Sequence, residues 1–292
     1  MMYKQSLGER MFNVSNASFI TLLSLTMLLP FLHIVAKSLS SSEAIANGEV
    51  LFWPVGFTLD NFQYILQDSS IWRAFGISVL ITVGGTLLNL IATASLAYPA
   101  SRPEFKAKKL ILLMVLFTMI FSAPLIPSFL LIKSLGMIDT LWALVLPGLI
   151  SAFNFFIMRT FFMNIPSTII DAARVDGLGE MGILFRIVLP LSKPTLATLG
   201  IFYGVAHWNS YQNALYFIND PRLYPLQVKL RQMIVTDELS ASQGADAYAM
   251  MFSSPEGIQM ATIVFATLPI LLLYPFLQKY FVKGSMLGSV KE

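Results

Sequence analysis

The sequence predicts an all-α integral membrane protein with six transmembrane helices, on three observations. Apolar residues fill 56% of the 292 positions, charged residues only 12%, and mean hydropathy is +0.70; soluble domains carry about 25% charged residues. Six stretches approach the roughly 20 apolar residues that a helix needs to cross a bilayer core of about 30 Å: Ala17 to Ala36, Ala74 to Tyr98, Leu110 to Ile132, Leu141 to Phe162, Pro194 to Phe217 and Ile258 to Phe276. All sixteen Asp and Glu residues fall outside them.

Residues 1–16 are polar and include Lys4 and Arg10. The stretch that follows lacks a small-residue cleavage site, so it reads as a retained first span and not a signal peptide. Interior prolines at 124, 127, 147, 269 and 275 mark kinks, because neighbouring groups in a membrane bundle can take up the carbonyls they free. Orientation follows the lysines and arginines, which are held on the cytoplasmic side. With the N-terminus inside, most of the nineteen fall on inner segments, among them Arg102, Lys106, Lys108, Lys109, Arg159, Arg174, Arg186 and Lys193. Both termini are then cytoplasmic. Residues 1–16 are the N-terminal segment and 17–292 the membrane domain, with an inner loop at 163–193, an outer loop at 218–257 and a cytoplasmic tail at 279–292. The expected location is a membrane, crossed several times and surrounded by lipid.

Composition also excludes. The net charge of +3 and pI of 9.0 come from dispersed basic residues, which fit membrane topology and not nucleic acid. There are no cysteines, and His33 and His207 lie in different apolar stretches, too few for a metal site. No nucleophile, base and stabiliser assemble, so an enzyme is not expected. Proton- or sodium-coupled transporters usually hold an ionisable group within the membrane, and the six stretches offer no carboxylate. A secondary transporter or channel stays as the alternative that kinked helices alone would suit. The chain has no GxxxxGK[ST] phosphate loop, so ATP and Mg, if used, belong to a separate partner and this chain binds no cofactor.

The inner loop holds two short helix signals. Pro166 suits a helix start, Ser167 can take a free amide, and Gly177 suits a left-handed stop after Asp176, giving a helix from about Ser167 to Val175. In the second, Met181, Leu184, Phe185 and Val188 form one apolar stripe, closed by Pro190. Spacing alone fits equally a helix lying on lipid or a loop packed on its own bundle. The order Asp171-Ala172-Ala173, Asp176-Gly177, Phe185, Leu189-Pro190-Leu191 and Pro194 resembles the EAA loop of binding-protein-dependent ABC importer permeases, whose fold is the six-helix type I permease. The resemblance implies a coupling helix seated in a cleft of the ATPase, with Asp171, Ala172, Ala173, Asp176, Gly177, Phe185 and Pro190 at or beside that contact. Asp171 stands where the family usually has glutamate. The alternative to a transporter is a membrane scaffold for a cytoplasmic ATPase.

Likeness along nearly the whole chain is to the carbohydrate, maltose-type oligosaccharide branch. It is carried by His207-Trp208-Asn209-Ser210-Tyr211-Gln212-Asn213, Tyr216 to Asp220, Leu223 to Gln227 and Gln278 to Gly284. Aromatic faces with amides and hydroxyls suit polyhydroxylated ligands, so His207, Trp208, Asn209, Tyr211 and Asn213 are candidates for a substrate pathway. Each also fits an interhelical hydrogen bond or an interfacial anchor. His207 fits either a pH sensor or a hydrogen-bonded neutral ring.

In the long outer loop, Leu223, Leu226, Leu230, Met233 and Ile234 share a helical face opposite Lys229 and Arg231. The resemblance implies that a loop here reaches into a sugar-binding protein, with Tyr224, Pro225 and Gln227 as contact residues; a solvated connector is the alternative. In the first outer loop, Thr58 begins a short helix with Phe62 and Leu66 on one face. That stretch resembles permeases for complex or acidic oligosaccharides such as alginate. The implied partners are a second homologous permease subunit, two ATP-binding subunits and an extracytoplasmic solute-binding protein, importing oligosaccharide by alternating access.

Overall fold

The computed structural model describes residues 7–233 and 254–286, with side chains described as far as residue 273. Among these residues the secondary structure is helical throughout. Among the described residues, three helices are long and apolar enough to cross a membrane: Leu7–Ser38, Ser69–Ser101 and Pro255–Leu273, the last being the part of the helix Pro255–Met286 whose side chains are described. The chain forms two compact units, Met1–Ser69 with Leu230–Leu268, and Ser70–Lys229 with Pro269–Glu292.

In the first unit, Leu7–Ser38 is apolar all round, and only 6% of its most apolar window is buried by protein. Phe12, Phe19, Leu22 and Met27 stand fully outward, which is stable only against lipid or another chain. Its C-terminal end is anchored. Lys37 pairs with Glu256, and the buried Asn61 amide donates to the carbonyls of Ser38 and Ser40 at 3.2 and 3.3 Å. The outer-loop helix is Asp60–Gln67, two residues later than expected, with the Thr58 hydroxyl accepting from the Asp60 amide. Its buried face is Asn61 and Ile65, one residue round from the expected Phe62 and Leu66; Leu66 is exposed.

In the second unit, Ser69–Ser101 turns one stripe inward: Ile71, Ala74, Ser78, Ile81, Gly85, Asn89, Thr93 and Ala97. Intervals of three and four make this a single helical face. Its lower half packs into a core with Phe155, Met158, Phe162, Ile183, Val188 and Leu199.

Three of the expected spans are interrupted. Leu110 to Ile132 is two helices, Lys108–Ile120 and Leu125–Ser134. Pro124 disfavours helix at the residue before it, and Pro127 falls in the first turn of the new helix, where amides have no partner to lose. Leu141 to Phe162 becomes Trp142–Gly148 and Ala152–Met163, bent by 54°. Pro194 to Phe217 becomes Lys193–Trp208 and Gln212–Phe217, parted at 209–211. The last span runs unbroken through Pro269 and Pro275.

Candidate functional site

The 163–193 loop folds as two helices. Ser167–Val175 has the expected bounds, and Gly177 follows with φ of +82°. The second departs from expectation. Pro190 does not close it: a π-turn at Leu184–Val188 absorbs the missing amide and the ring, and the helix continues to Leu191. The stop is Ser192, fully buried, whose hydroxyl donates to the Val188 carbonyl at 2.6 Å; there the chain bends by 84° into Lys193–Trp208. The apolar stripe divides. Leu184 and Val188 are buried in the core, while Met181 is 65% and Phe185 49% exposed. Asp171, Ala172, Asp176, Gly177 and Pro190 are also exposed, and Ala173 is buried beneath them. The loop therefore presents several outward-facing residues on a packed base.

That base is tied to the long helix by charge. Tyr98 donates to Glu180 at 2.7 Å, and Arg174 donates to Glu180 at 2.9 Å, Asp171 at 3.4 Å and Glu104 at 3.5 Å. The bonds from Tyr98 and then Arg174 hold the Glu180 carboxyl below the usual carboxylate range, although desolvation opposes them. Asp171, whose partner the sequence left open, pairs with Arg174 three residues on.

The polar site lies at the helix breaks. A cavity of about 420 Å³ is walled by Asn89, Ser151, Phe153, Asn154, Phe202, Tyr203, His207, Ser210 and Asn213, among others. The break after Gly148 frees backbone groups that are costly in an apolar medium, and two side chains take them. Asn89 donates to the Gly148 carbonyl at 2.9 Å, and the Ser151 amide donates to the Tyr203 hydroxyl at 3.0 Å. His207 Nε2 lies 3.1 Å from Asn89 Oδ1, so Nε2 carries the proton, and the Tyr203 hydroxyl lies 2.7 Å from that of Thr93. Gly85 makes room for the imidazole; a Cβ there would lie 2.7 Å from His207 Nε2.

Of the five expected pathway residues, His207 and Asn213 line this cavity. The other three do not. Trp208 is buried edge-on against Phe75, with centroids 5.9 Å apart, and faces an apolar cavity of about 360 Å³. The Asn209 amide is spent on the Val205 carbonyl at 2.9 Å, and Tyr211 packs with Leu144 and Ile218. Sequence reasoning missed Asn89, Asn154 and Tyr203. Ser78, Gly85, Asn89 and Thr93 recurring at helical spacing were the available signal for Asn89.

In the turn before Trp142, Asp139 adopts φ of 58° and its carboxylate accepts from the backbone amides of Asn219 and Asp220 and from the Asn219 side chain. Those backbone amides, Asn219 first, hold its carboxyl below the ordinary range. Arg222 is engaged by Asp220, at 3.0 and 3.1 Å. The helical turn begins at residue 226, where the Leu226 amide donates to Ser78 Oγ at 2.8 Å. Pro225 is buried, and Tyr224 and Gln227 are half-buried. Ile234 lies outside the described residues.

Residues 94–285 match the family model of the binding-protein-dependent transport system inner membrane component, and the chain belongs to that family. It is an integral membrane protein, a non-catalytic permease subunit of an ABC importer, and ATP hydrolysis is the work of a separate ATPase. It is 41% identical to the polygalacturonan/rhamnogalacturonan transport system permease protein YtcP of Bacillus subtilis over 97% of this chain and 99% of the relative. It is 43% identical to Protein LplC of the same organism, over 97% and 95%. A solved bacterial ABC transporter involved in the import of the acidic polysaccharide alginate has a chain that matches at 31% identity with a TM-score of 0.87. The match covers 96% of this chain and 100% of that one.

Proposed function

We propose that this chain is one permease of a two-permease importer of oligosaccharides, acidic ones in particular, and that the cavity at the broken helices is where the sugar passes. The cavity carries the reading: amides, hydroxyls and an imidazole beside Phe153, Phe202 and Tyr203 combine hydrogen-bonding edges with ring faces. The names of relatives that handle polygalacturonan and alginate support the acidic class. Arg222 gives it no support, being paired with Asp220.

In this reading the chain crosses a bacterial cytoplasmic membrane six times with both termini inside. Lys108–Ile120 with Leu125–Ser134, Trp142–Gly148 with Ala152–Met163, and Lys193–Trp208 with Gln212–Phe217 serve as single interrupted crossings. The exposed surface of the 163–193 loop docks on one of two ATP-binding subunits, which hold ATP and Mg. Asp171, Ala172, Asp176, Gly177, Phe185 and Pro190 form the contact and Ala173 lets the helix sit close to its base. The solute-binding protein meets the outer loop at 218–257, with Tyr224 and Gln227 in contact and the buried Pro225 shaping the turn. ATP closes the ATPases, the loop moves as a lever, and the bundle turns outward; hydrolysis resets it.

The test is the complex purified with its neighbours and its binding protein. Oligogalacturonate should stimulate ATP hydrolysis several-fold, and Asn213→Leu should cut uptake about tenfold while the recovered complex is undiminished. Equal losses of uptake and assembly would make Asn213 a packing residue and the cavity a structural one.

A further inference from the structure

Arg102 ends the long helix Ser69–Ser101, and the transport reading leaves its guanidinium unused. The residue is only 9% exposed. Nη2 donates to the Phe162 carbonyl at 3.2 Å and the guanidinium carbon lies 5.0 Å over the Tyr98 ring, but Nε is buried with no hydrogen-bond partner. The carboxylates nearby are engaged elsewhere: Glu180 by Tyr98 and Arg174, Glu104 and Asp171 by Arg174. Glu180 lies near enough to attract the Arg102 charge, but the buried Nε–H is left without an acceptor, and such an unmade hydrogen bond is costly.

Beside it opens a cavity of about 430 Å³ whose wall includes Tyr98, Arg102, Glu104, Phe105, Arg174 and Glu180. That volume falls within the roughly 300–1,000 Å³ of small-molecule sites and exceeds what one inserted side chain would fill. A guanidinium takes a carboxylate through paired N–H donors, Phe105 offers an apolar face to a ring, and Glu104 accepts from hydroxyls. Carboxylate, ring and hydroxyls together describe a sugar acid.

We propose that this cavity is an inhibitory site for a small sugar acid on the cytoplasmic side, its carboxylate paired with Arg102. The inference rests on the acidic-oligosaccharide reading above, since such a monomer is what cleavage of that cargo releases inside. One wall belongs to the coupling loop, through Arg174, Glu180 and Met181, and the other to the long helix, through Tyr98 and Arg102. An occupant bridges them and resists their relative movement, so accumulated product slows import.

The experiment uses the whole importer in proteoliposomes with its ATPases facing the bath and its loaded binding protein inside, so that import is read as ATP-driven passage of sugar from lumen to bath, here called uptake, with each protein's rate without added acid as its own reference. Galacturonate in the bath should lower uptake at least fivefold and galactose should not. Arg102→Gln should raise the galacturonate needed at least tenfold, and Ser95→Trp, which fills the cavity from the exposed side, should abolish the effect. Should Arg102→Gln fail to assemble, Ser95→Trp and a galacturonate-specific thermal shift of the unmodified complex decide the matter. Uptake of acidic oligosaccharide that is indifferent to galacturonate, or inhibited equally by galactose, overturns the site. Loss of the ATPases from Arg102→Gln with no galacturonate effect overturns it too, assigning Arg102 to an acidic side chain of the partner. If only neutral oligosaccharide is taken up, the substrate reading fails by itself, and the thermal shift still decides whether galacturonate binds.

Discussion

At Gly177 the backbone sits at φ of +82°, a left-handed conformation that costs an L residue about 1 kcal/mol. Nothing lies within 4 Å of where its Cβ would be. Strain is therefore the whole cost of Gly177→Ala within the chain, and import should fall only about twofold. Gly177→Asp adds a carboxylate beside Asp176 on the exposed surface assigned to the ATPase, where a like charge opposes seating. That variant should insert and purify normally yet lose more than tenfold of its uptake per ATP hydrolysed, measured with the reconstituted complex. Undiminished coupling in Gly177→Asp would remove the loop from the ATPase contact.

At the scale of elements, the turn around Asp139 carries a pH dependence. Its folded carboxyl titrates below the ordinary value because two backbone amides and one side-chain amide donate to it. A lowered folded value means stability present above the unfolded value, about 3.9, and lost as pH falls through the folded one. Amide protection in the 217–223 turn, taken as the intrinsic rate over the observed rate at each pH, should stay flat down to about pH 4 and fall below it; Asp139→Asn should be poorly protected throughout and lose that step. The helix breaks show how far sequence carried. The apolar stretches and the bounds of Ser167–Val175 were legible because they are local: composition, a proline at a start, a glycine at a stop. Prolines gave an uneven guide. Pro124 and Pro147 accompany breaks, while Pro269 lies inside an unbroken helix. What fixes the break after Gly148 is that Asn89 and Tyr203, on other helices, respectively donate to and accept from the freed backbone groups, and no window of neighbouring residues contains that information. The same limit hid half the cavity, since His207 and Asn213 were named from their own stretch while Asn89 and Asn154 meet them only in space.

Across the molecule, the issue is how energy enters and reaches the cavity. The long helix Ser69–Ser101 holds both ends of one route: Tyr98 on Glu180 of the inner loop, and Asn89 on His207 at the cavity. They stand nine residues apart along the helix, about 14 Å at 1.5 Å per residue, so in the proposed cycle a push on the loop would reach the cavity through one unbroken rod. An ionic route has nothing comparable. No Asp or Glu lies within the six apolar stretches, and moving a coupling proton or sodium ion through the bilayer interior calls for such a group. Uptake into proteoliposomes should therefore be unchanged, within about twofold, when a protonophore or a sodium ionophore collapses the gradients, and should vanish when ATP is withheld. Tyr98→Phe should keep the ATP requirement but lower uptake per ATP several-fold, because it removes the hydrogen bond from the rod to Glu180 while leaving the core packing and the Arg174 pair with Glu180 intact. Uptake that follows the proton gradient would mean that an ionisable group on another subunit carries the ion, and would break the link between this loop and the cavity.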